Sequence, residues 1–421
     1  MLHTFSRNSH TTWLPILAAI VSFLIFALRR PDIIYNASFW AEDGLVWYKQ
    51  AYEFGIASLA LPQNGYYQTI SKLTALASLV VPMEYAPLFF NVAGLTIRSL
   101  FVAYILTNRM SAIPLSYRIA VCVYIVLMPG LIEVHANITN TQWYLSMWIL
   151  CVLLSNRPNS QLWFLHDIFL MFLSGLSGPF VVFLVPVFAV RYGFDRDFRN
   201  YIKTTKGMIF AGSLITACAI QVIAVLLSYN ETRSSAPLGF SFSVMADILS
   251  ARIFVGAFLT ADQIRWLFSH AAINAVVTIF SLALLTFVFL KSNWIVKSII
   301  LFASIMLFFA LSKPMISLTE PQLPLLASGV ERYFVITNIA WVISLLSAYY
   351  YISKNLKNTV KYTILTTTVA VFFFVTAFNF SIEPLLDTKW PEQAKAFQNL
   401  NSGERFEFQL NPPSWKMTLV R

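Results

Sequence analysis

The spacing of charges constrains this chain more than anything else. Eleven apolar segments, near 13–29, 85–107, 117–131, 142–155, 162–177, 179–191, 207–228, 271–290, 294–312, 333–352 and 361–380, run between short polar connections. In a bilayer every backbone N–H and C=O must find its partner inside the segment, which leaves the α-helix for isolated runs of this length. The chain is 58% hydrophobic and only 11% charged, which excludes a soluble globular domain. The expectation is an all-α polytopic membrane protein with about eleven transmembrane helices. The first run, Trp13 to Leu28, is long for a signal-peptide core and lacks a small-residue cleavage site, so it reads as a retained span.

Basic residues give the orientation. The stretch from Arg191 to Lys206 carries five cations against Asp195 and Asp197, and Lys291, Lys297, Lys354, Lys357 and Lys361 mark further inner connections. The N-terminus then falls inside and the C-terminus outside. Arg29 and Arg30 oppose this assignment, since they follow the first span on the outer side. The net charge of +10 therefore reflects membrane topology, and nucleic acid is not an expected partner. Residues 1–380 form the membrane domain, with an outer loop over 30–82, and 381–421 form a short exterior appendage. Within that appendage the alternation of Arg405 to Leu410 predicts a strand. The run 66–82 carries Lys72 and is polar at its start, which suits an interfacial or re-entrant helix.

Polar residues concentrate on the outer side. Phe39-Trp40-Ala41-Glu42-Asp43-Gly44 places two carboxylates just beyond the first span. Ser38 is placed to cap a short amphipathic helix with Ala41, Leu45, Tyr48 and Tyr52 on one face. Such a helix would present Glu42 and Asp43 either to a cavity, as general base, or simply to solvent. Lys72, behind the turn Gln63-Asn64-Gly65-Tyr66, suits a lipid phosphate or a snorkelling anchor. Glu133 to Trp143 gathers His135, Asn140 and Trp143, residue types that grip a sugar; His135 reads equally as an interfacial hydrogen-bonder. Ser174 to Pro179 breaks two short spans, as a tight hairpin would.

Ser328-Gly329-Val330-Glu331-Arg332-Tyr333 places Arg332 at the head of a span, for phosphate binding or for pairing with Glu331. Arg98 lies inside a span, where a charge marks either a functional site or a pair within the bundle. Cys122, Cys151 and Cys218 fall in apolar runs and match no zinc spacing. There is no GxxxxGKS and no HExxH motif, so ATP-driven and zinc-dependent chemistry lack support. No cofactor is required; a divalent cation on the outer carboxylates stays open.

The segments Trp40-Ala41-Glu42-Asp43-Gly44, Gly65-Tyr66-Tyr67, Asn140 to Trp143, Ser177-Gly178-Pro179-Phe180, Glu331-Arg332-Tyr333-Phe334 and Asn411-Pro412-Pro413-Ser414-Trp415 resemble GT-C class integral-membrane glycosyltransferases. The resemblance is to bacterial enzymes that modify O-antigen or other envelope glycans. It implies a polyprenyl-phosphate-linked sugar as donor, an envelope glycan as acceptor and a site at the outer face of the cytoplasmic membrane. It makes Asp43 the acceptor-activating base, supported by Glu42, with Arg332 and Lys72 toward the donor phosphate. The order here is Glu-Asp where the class carries two aspartates or the reverse. A transporter or flippase of lipid-linked sugars would show charges along a central path and an internal repeat. A glycan polymerase would concentrate basic residues in two large outer loops, whereas 229–270 holds only Arg233, Arg252 and Arg265.

Overall fold

The computed structural model describes residues 13–227, 234–259, 261–314, 316–328 and 330–421, so the N-terminal position, Arg233 and Gly329 lie outside the described residues. Every apolar segment is helical. In chain order the helices used below are α1 (Leu14–Arg29), α2 (Thr69–Ser78), α3 (Ala86–Ile105), α4 (Leu115–Leu127), α5 (Thr141–Leu154), α6 (Gln161–Gly175), α7 (Leu184–Phe194) and α8 (Thr205–Leu227). They continue with α9 (Ala271–Lys291), α10 (Trp294–Ser312), α11 (Val335–Ser353), α12 (Asn358–Phe378) and α13 (Trp390–Gln398). Six helical stretches, 83–105, 205–227, 271–291, 294–312, 331–353 and 358–378, are long and apolar enough to cross a membrane. The protein is an all-α, multi-pass membrane protein in that sense. Helices α1, α4 and α5 are shorter, and α6 meets the 179–194 helix at 115°. At 1.5 Å per residue the thirteen residues of α4 cover about 20 Å, less than the ~30 Å hydrocarbon core.

Arg29 and Arg30 owe their position to packing. The Arg29 guanidinium donates to Val126 O (2.8 Å) in the last turn of α4, to Met128 O (2.9 Å) just past it, and to Phe380 O (3.0 Å) beyond α12. Arg30 donates to Glu383 O (2.8 Å) and Ile132 O (3.2 Å). The last carbonyls of a helix have no partner of their own, and Arg29 satisfies such groups where two helices end together, while Arg30 bonds to the connections that follow them.

The C-terminal residues form α13 and a hairpin, β1 (Arg405–Gln409) antiparallel to β2 (Lys416–Val420). This unit is docked on the membrane domain. The Trp390 ring meets Phe39 edge-on at 4.8 Å, and its indole N–H donates to Met83 O. Asn411 donates its backbone N–H to Phe39 O (3.0 Å), accepts the Ala41 N–H, and gives its side-chain amide to Ser38 Oγ (2.7 Å). Ser38 is thus engaged by the tail and does not cap a helix.

Candidate functional site

The site begins with the turn between α4 and α5. Asn137 Nδ2 donates to Glu133 O (2.6 Å), Asn140 N–H donates to Asn137 Oδ1 (3.0 Å), and Arg98 Nη2 donates to Val134 O. Gly94 of α3 lets this turn approach, since a Cβ there would stand 3.0 Å from Ala136 O. The backbone N–H groups of Ile138 and Thr139 are thereby aimed at the acidic pair. The Asp43 carboxylate accepts from Ile138 N (3.0 Å), Thr139 N (2.9 Å) and Thr139 Oγ1 (2.6 Å). Trp47 Nε1 donates to the same Thr139 hydroxyl at 2.8 Å. Burial raises the Asp43 pKa to about 7 despite these bonds, and the Glu42 charge adds to the rise.

Glu42 faces elsewhere. Neighbours on a helical turn diverge by roughly 100°, so one carboxylate can lie in the turn while the other opens outward. Ala41, held by Asn411 at φ 33°, starts this helical stretch, and Asp43–Tyr48 continues it as a π-helical turn. The half-buried Glu42 lines a cavity of about 530 Å³. Burial raises its pKa, its own backbone N–H and Arg332 oppose that, and Glu133 adds to it. Arg332 forms an ion pair with Glu133 and donates its backbone N–H to Glu133 Oε2 (3.3 Å). Two carboxylates and one guanidinium therefore share one wall.

The cavity has two unlike ends. Around Glu42 the lining is polar and aromatic: Tyr66, Asn140, Gln142, Trp143, Gln221 and Tyr333. The Trp143 ring packs on Phe180 (4.7 Å) and edge-on to Tyr333 (5.7 Å). Gln68 Oε1, Asn140 Oδ1, Gln142 Oε1, Trp143 Nε1 and Gln221 Oε1 are buried without a hydrogen-bond partner. Unpaired buried polar atoms are costly, and this group is what a polyhydroxylated ligand would satisfy. The far end, between α8 and α10, is apolar, lined by Val222, Val225, Leu226, Met306 and Phe309. Lys313, exposed just past the end of α10, also lines the cavity.

Several expected site residues stand apart from it. Asp43 points into the 138–139 turn. The helix that carries it is not an open surface helix, because Asp43 and Trp47, off the expected apolar face, are buried together with Ala41 and Tyr48. Lys72 Nζ donates to Ser58 O (2.7 Å) and to Leu61 O, the terminal carbonyls of the 3₁₀ turn Gly55–Ala60 and its exit. Burial lowers its pKa to about 8, and its ammonium ties the outer loop down where a lipid phosphate was expected. Helix α2 is likewise packed inward by Ile70, Ser71, Thr74 and Ala75. His135 Nε2 lies 2.9 Å from Phe26 O, and burial together with Arg98, Arg29 and Arg30 holds it well below its ordinary pKa. Arg98 is fully buried, bound to the Val134 and Asn137 carbonyls and set over the Tyr144 ring at 4.7 Å. Arg332 pairs with Glu133 and not with Glu331 as its sequence neighbour suggested. Tyr66, Asn140, Trp143 and Arg332 do meet Glu42 around one cavity.

The residues that sequence reasoning left out are Gln68, Gln221 and Lys313, while Glu133 and Gln142 lay in the polar turn without being assigned a role. Gln221 carried a signal, as an amide inside a 23-residue apolar helix, where it donates to Gly178 O at 3.0 Å. Among the described residues no three His, Cys, Asp or Glu side chains cluster as a metal site. Cys122, Cys151 and Cys218 are free thiols. No family model matches this chain, and no curated protein or solved structure matches it.

Proposed function

We propose that this protein is a GT-C-like glycosyltransferase. On this reading it moves a sugar, a hexose such as glucose, from a polyprenyl-phosphate donor to an envelope glycan such as O-antigen. The supporting observation is the cavity itself: a half-buried carboxylate opens onto a space that is polar and aromatic at one end and apolar at the other. That division suits a lipid-linked sugar, with the saccharide among the unpaired amides and the polyprenyl chain between α8 and α10. Glu42 takes the role of general base, while Asp43 fixes the turn beside it. An acceptor hydroxyl attacks the anomeric carbon, its proton passes to Glu42, and the bond from that carbon to the phosphate oxygen breaks with inversion. The leaving phosphate meets positive charge from Lys313 and Arg332, which offsets its developing negative charge.

The proposed setting is the bacterial inner membrane, with the N-terminus cytoplasmic and the cavity and C-terminal unit outside. On this reading the three shorter apolar helices and both legs of the bent pair also cross, giving the eleven spans expected from the sequence, with the cavity on the outer side.

The test compares purified envelope glycan from cells carrying the parent chain, Glu42→Gln, or no copy. A hexose-sized mass gain per repeat unit is expected with the parent. Its loss in Glu42→Gln at equal protein level, by about 100-fold or more in rate, is expected for removal of a general base. Full transfer by Glu42→Gln would sink the assignment, and a change in chain length at constant repeat composition would indicate polymerisation instead.

A further inference from the structure

A second space lies toward the opposite ends of α5 and α10. There α3, α4, α5, α10 and α11 enclose a crevice of about 310 Å³, walled by aliphatic side chains such as Ile105, Val121, Ile299 and Ile343. Two of its lining groups are more than nine-tenths buried yet incompletely paired: Arg118 Nε and Ser292 Oγ have no hydrogen-bond partner. Arg118 is held in place by its Nη1, which donates to Thr107 O (2.8 Å) and Ile105 O (3.2 Å). Tyr350 and Tyr351 also line the crevice, and the exposed Lys354 ammonium lies over their rings at 4.1 and 5.3 Å. Among the described residues no acidic side chain lines it.

An apolar slot of this kind between membrane helices suits a hydrocarbon chain. Buried donors left open beside it call for an acceptor that the protein does not supply, and a phosphate oxygen accepts from guanidinium, hydroxyl and ammonium alike. Basic pockets between membrane helices select anionic headgroups on the same grounds. We infer that this crevice is a binding site for an anionic phospholipid of the bilayer. An acyl chain occupies the aliphatic slot, and the phosphate sits among Arg118, Ser292 and Lys354. The site is separate from the Glu42 cavity and stands independently of the transfer reaction.

The test uses the full chain, purified in detergent, stripped of lipid and equilibrated with equal amounts of dioleoyl phosphatidylglycerol and dioleoyl phosphatidylcholine. Native mass spectrometry then reads which lipid is retained. The parent should favour phosphatidylglycerol. Lys354→Gln, at an exposed position, should weaken that preference about fivefold, the effect of one cation near an anionic headgroup. Ile343→Trp should fill the slot and remove the bound lipid from protein that melts like the parent. Equal retention of the two lipids by the parent overturns the inference. So does a preference unchanged by Lys354→Gln, or phosphatidylglycerol still bound to folded Ile343→Trp protein.

Discussion

Asp43→Asn separates the two acidic residues more sharply than any other change. In the fold this carboxyl is buried, and its pKa stands at about 7 against an ordinary 3.8. At about 1.4 kcal/mol per pH unit, ionising it in place costs roughly 4 kcal/mol more than ionising it in the unfolded chain. Burial therefore outweighs the three hydrogen bonds from Ile138 and Thr139. The folded state holds the extra proton between pH 3.8 and about 7, so this group's contribution to stability falls as pH rises through that window. Asparagine carries no charge to bury. It keeps the two contacts on one oxygen but turns an NH₂ toward the Ile138 N–H, a loss of about 1–3 kcal/mol. The balance at pH 8 is a gain of about 1–3 kcal/mol over the parent, shrinking to nothing or reversing near pH 5, where the parent carboxyl is itself protonated. Thermal melts of both proteins in detergent from pH 5 to 8.5 check this, because all other titrating groups are common to the pair. Melting curves that stay parallel across the range would refute the argument. On the proposed mechanism the Asp43→Asn protein also retains transfer, whereas Glu42→Gln does not.

Two further outcomes test the parts that hold the site. Lys72→Met should leave the Ser58 and Leu61 carbonyls without their cation and lower stability by about 1–3 kcal/mol, read from the melting midpoint. Its KM for a lipid-linked donor should stay at the parent value, since the ammonium is turned away from the cavity. Trp390→Ala should cost about 3–5 kcal/mol, as expected for emptying a buried tryptophan site. Protease sensitivity of residues 381–421 should rise with it, and transfer should fall because the tail that fixes Ala41 is loosened.

Much of the fold was legible because it follows from one-dimensional rules. A bilayer imposes helix on every long apolar run, and the eleven helical segments fall within a few residues of where hydropathy places them. The alternation of Arg405 to Gln409 likewise gave a strand, with Phe408 as its buried member. Span length was partly legible: the break at Ser174 to Pro179 marked the sharp bend after α6, whereas hydropathy did not register that α4 stops at Leu127, short of the end of its apolar run. Arg29 and Arg30 stood against the orientation count for a different reason. Charge-bias rules treat a basic residue as a free ion choosing a side of the membrane, whereas these two bind carbonyls at and beyond the ends of α4 and α12, more than 90 residues away in sequence.

The site itself was legible as residue types and not as directions. Lys72, His135 and Arg98 each looked available for chemistry, yet all three serve backbone carbonyls exposed where helices end or turns begin. A chain with so many short helices has many such carbonyls, and in low dielectric a donor that satisfies one is worth as much to the fold as it would be to a ligand. The same logic separates Glu42 from Asp43. Two adjacent carboxylates cannot share one face of a helical turn, so one of them must be satisfied by protein and the other is left to the cavity. The choice is made by the Ile138 and Thr139 N–H groups, and their aim depends on Asn137, Asn140 and the close approach at Gly94. The docked tail completes the arrangement, because Asn411 holds Ala41 in a left-handed conformation that a non-glycine residue adopts only under restraint. Strain of that kind, placed directly before Glu42, helps fix the direction in which this carboxylate faces the cavity.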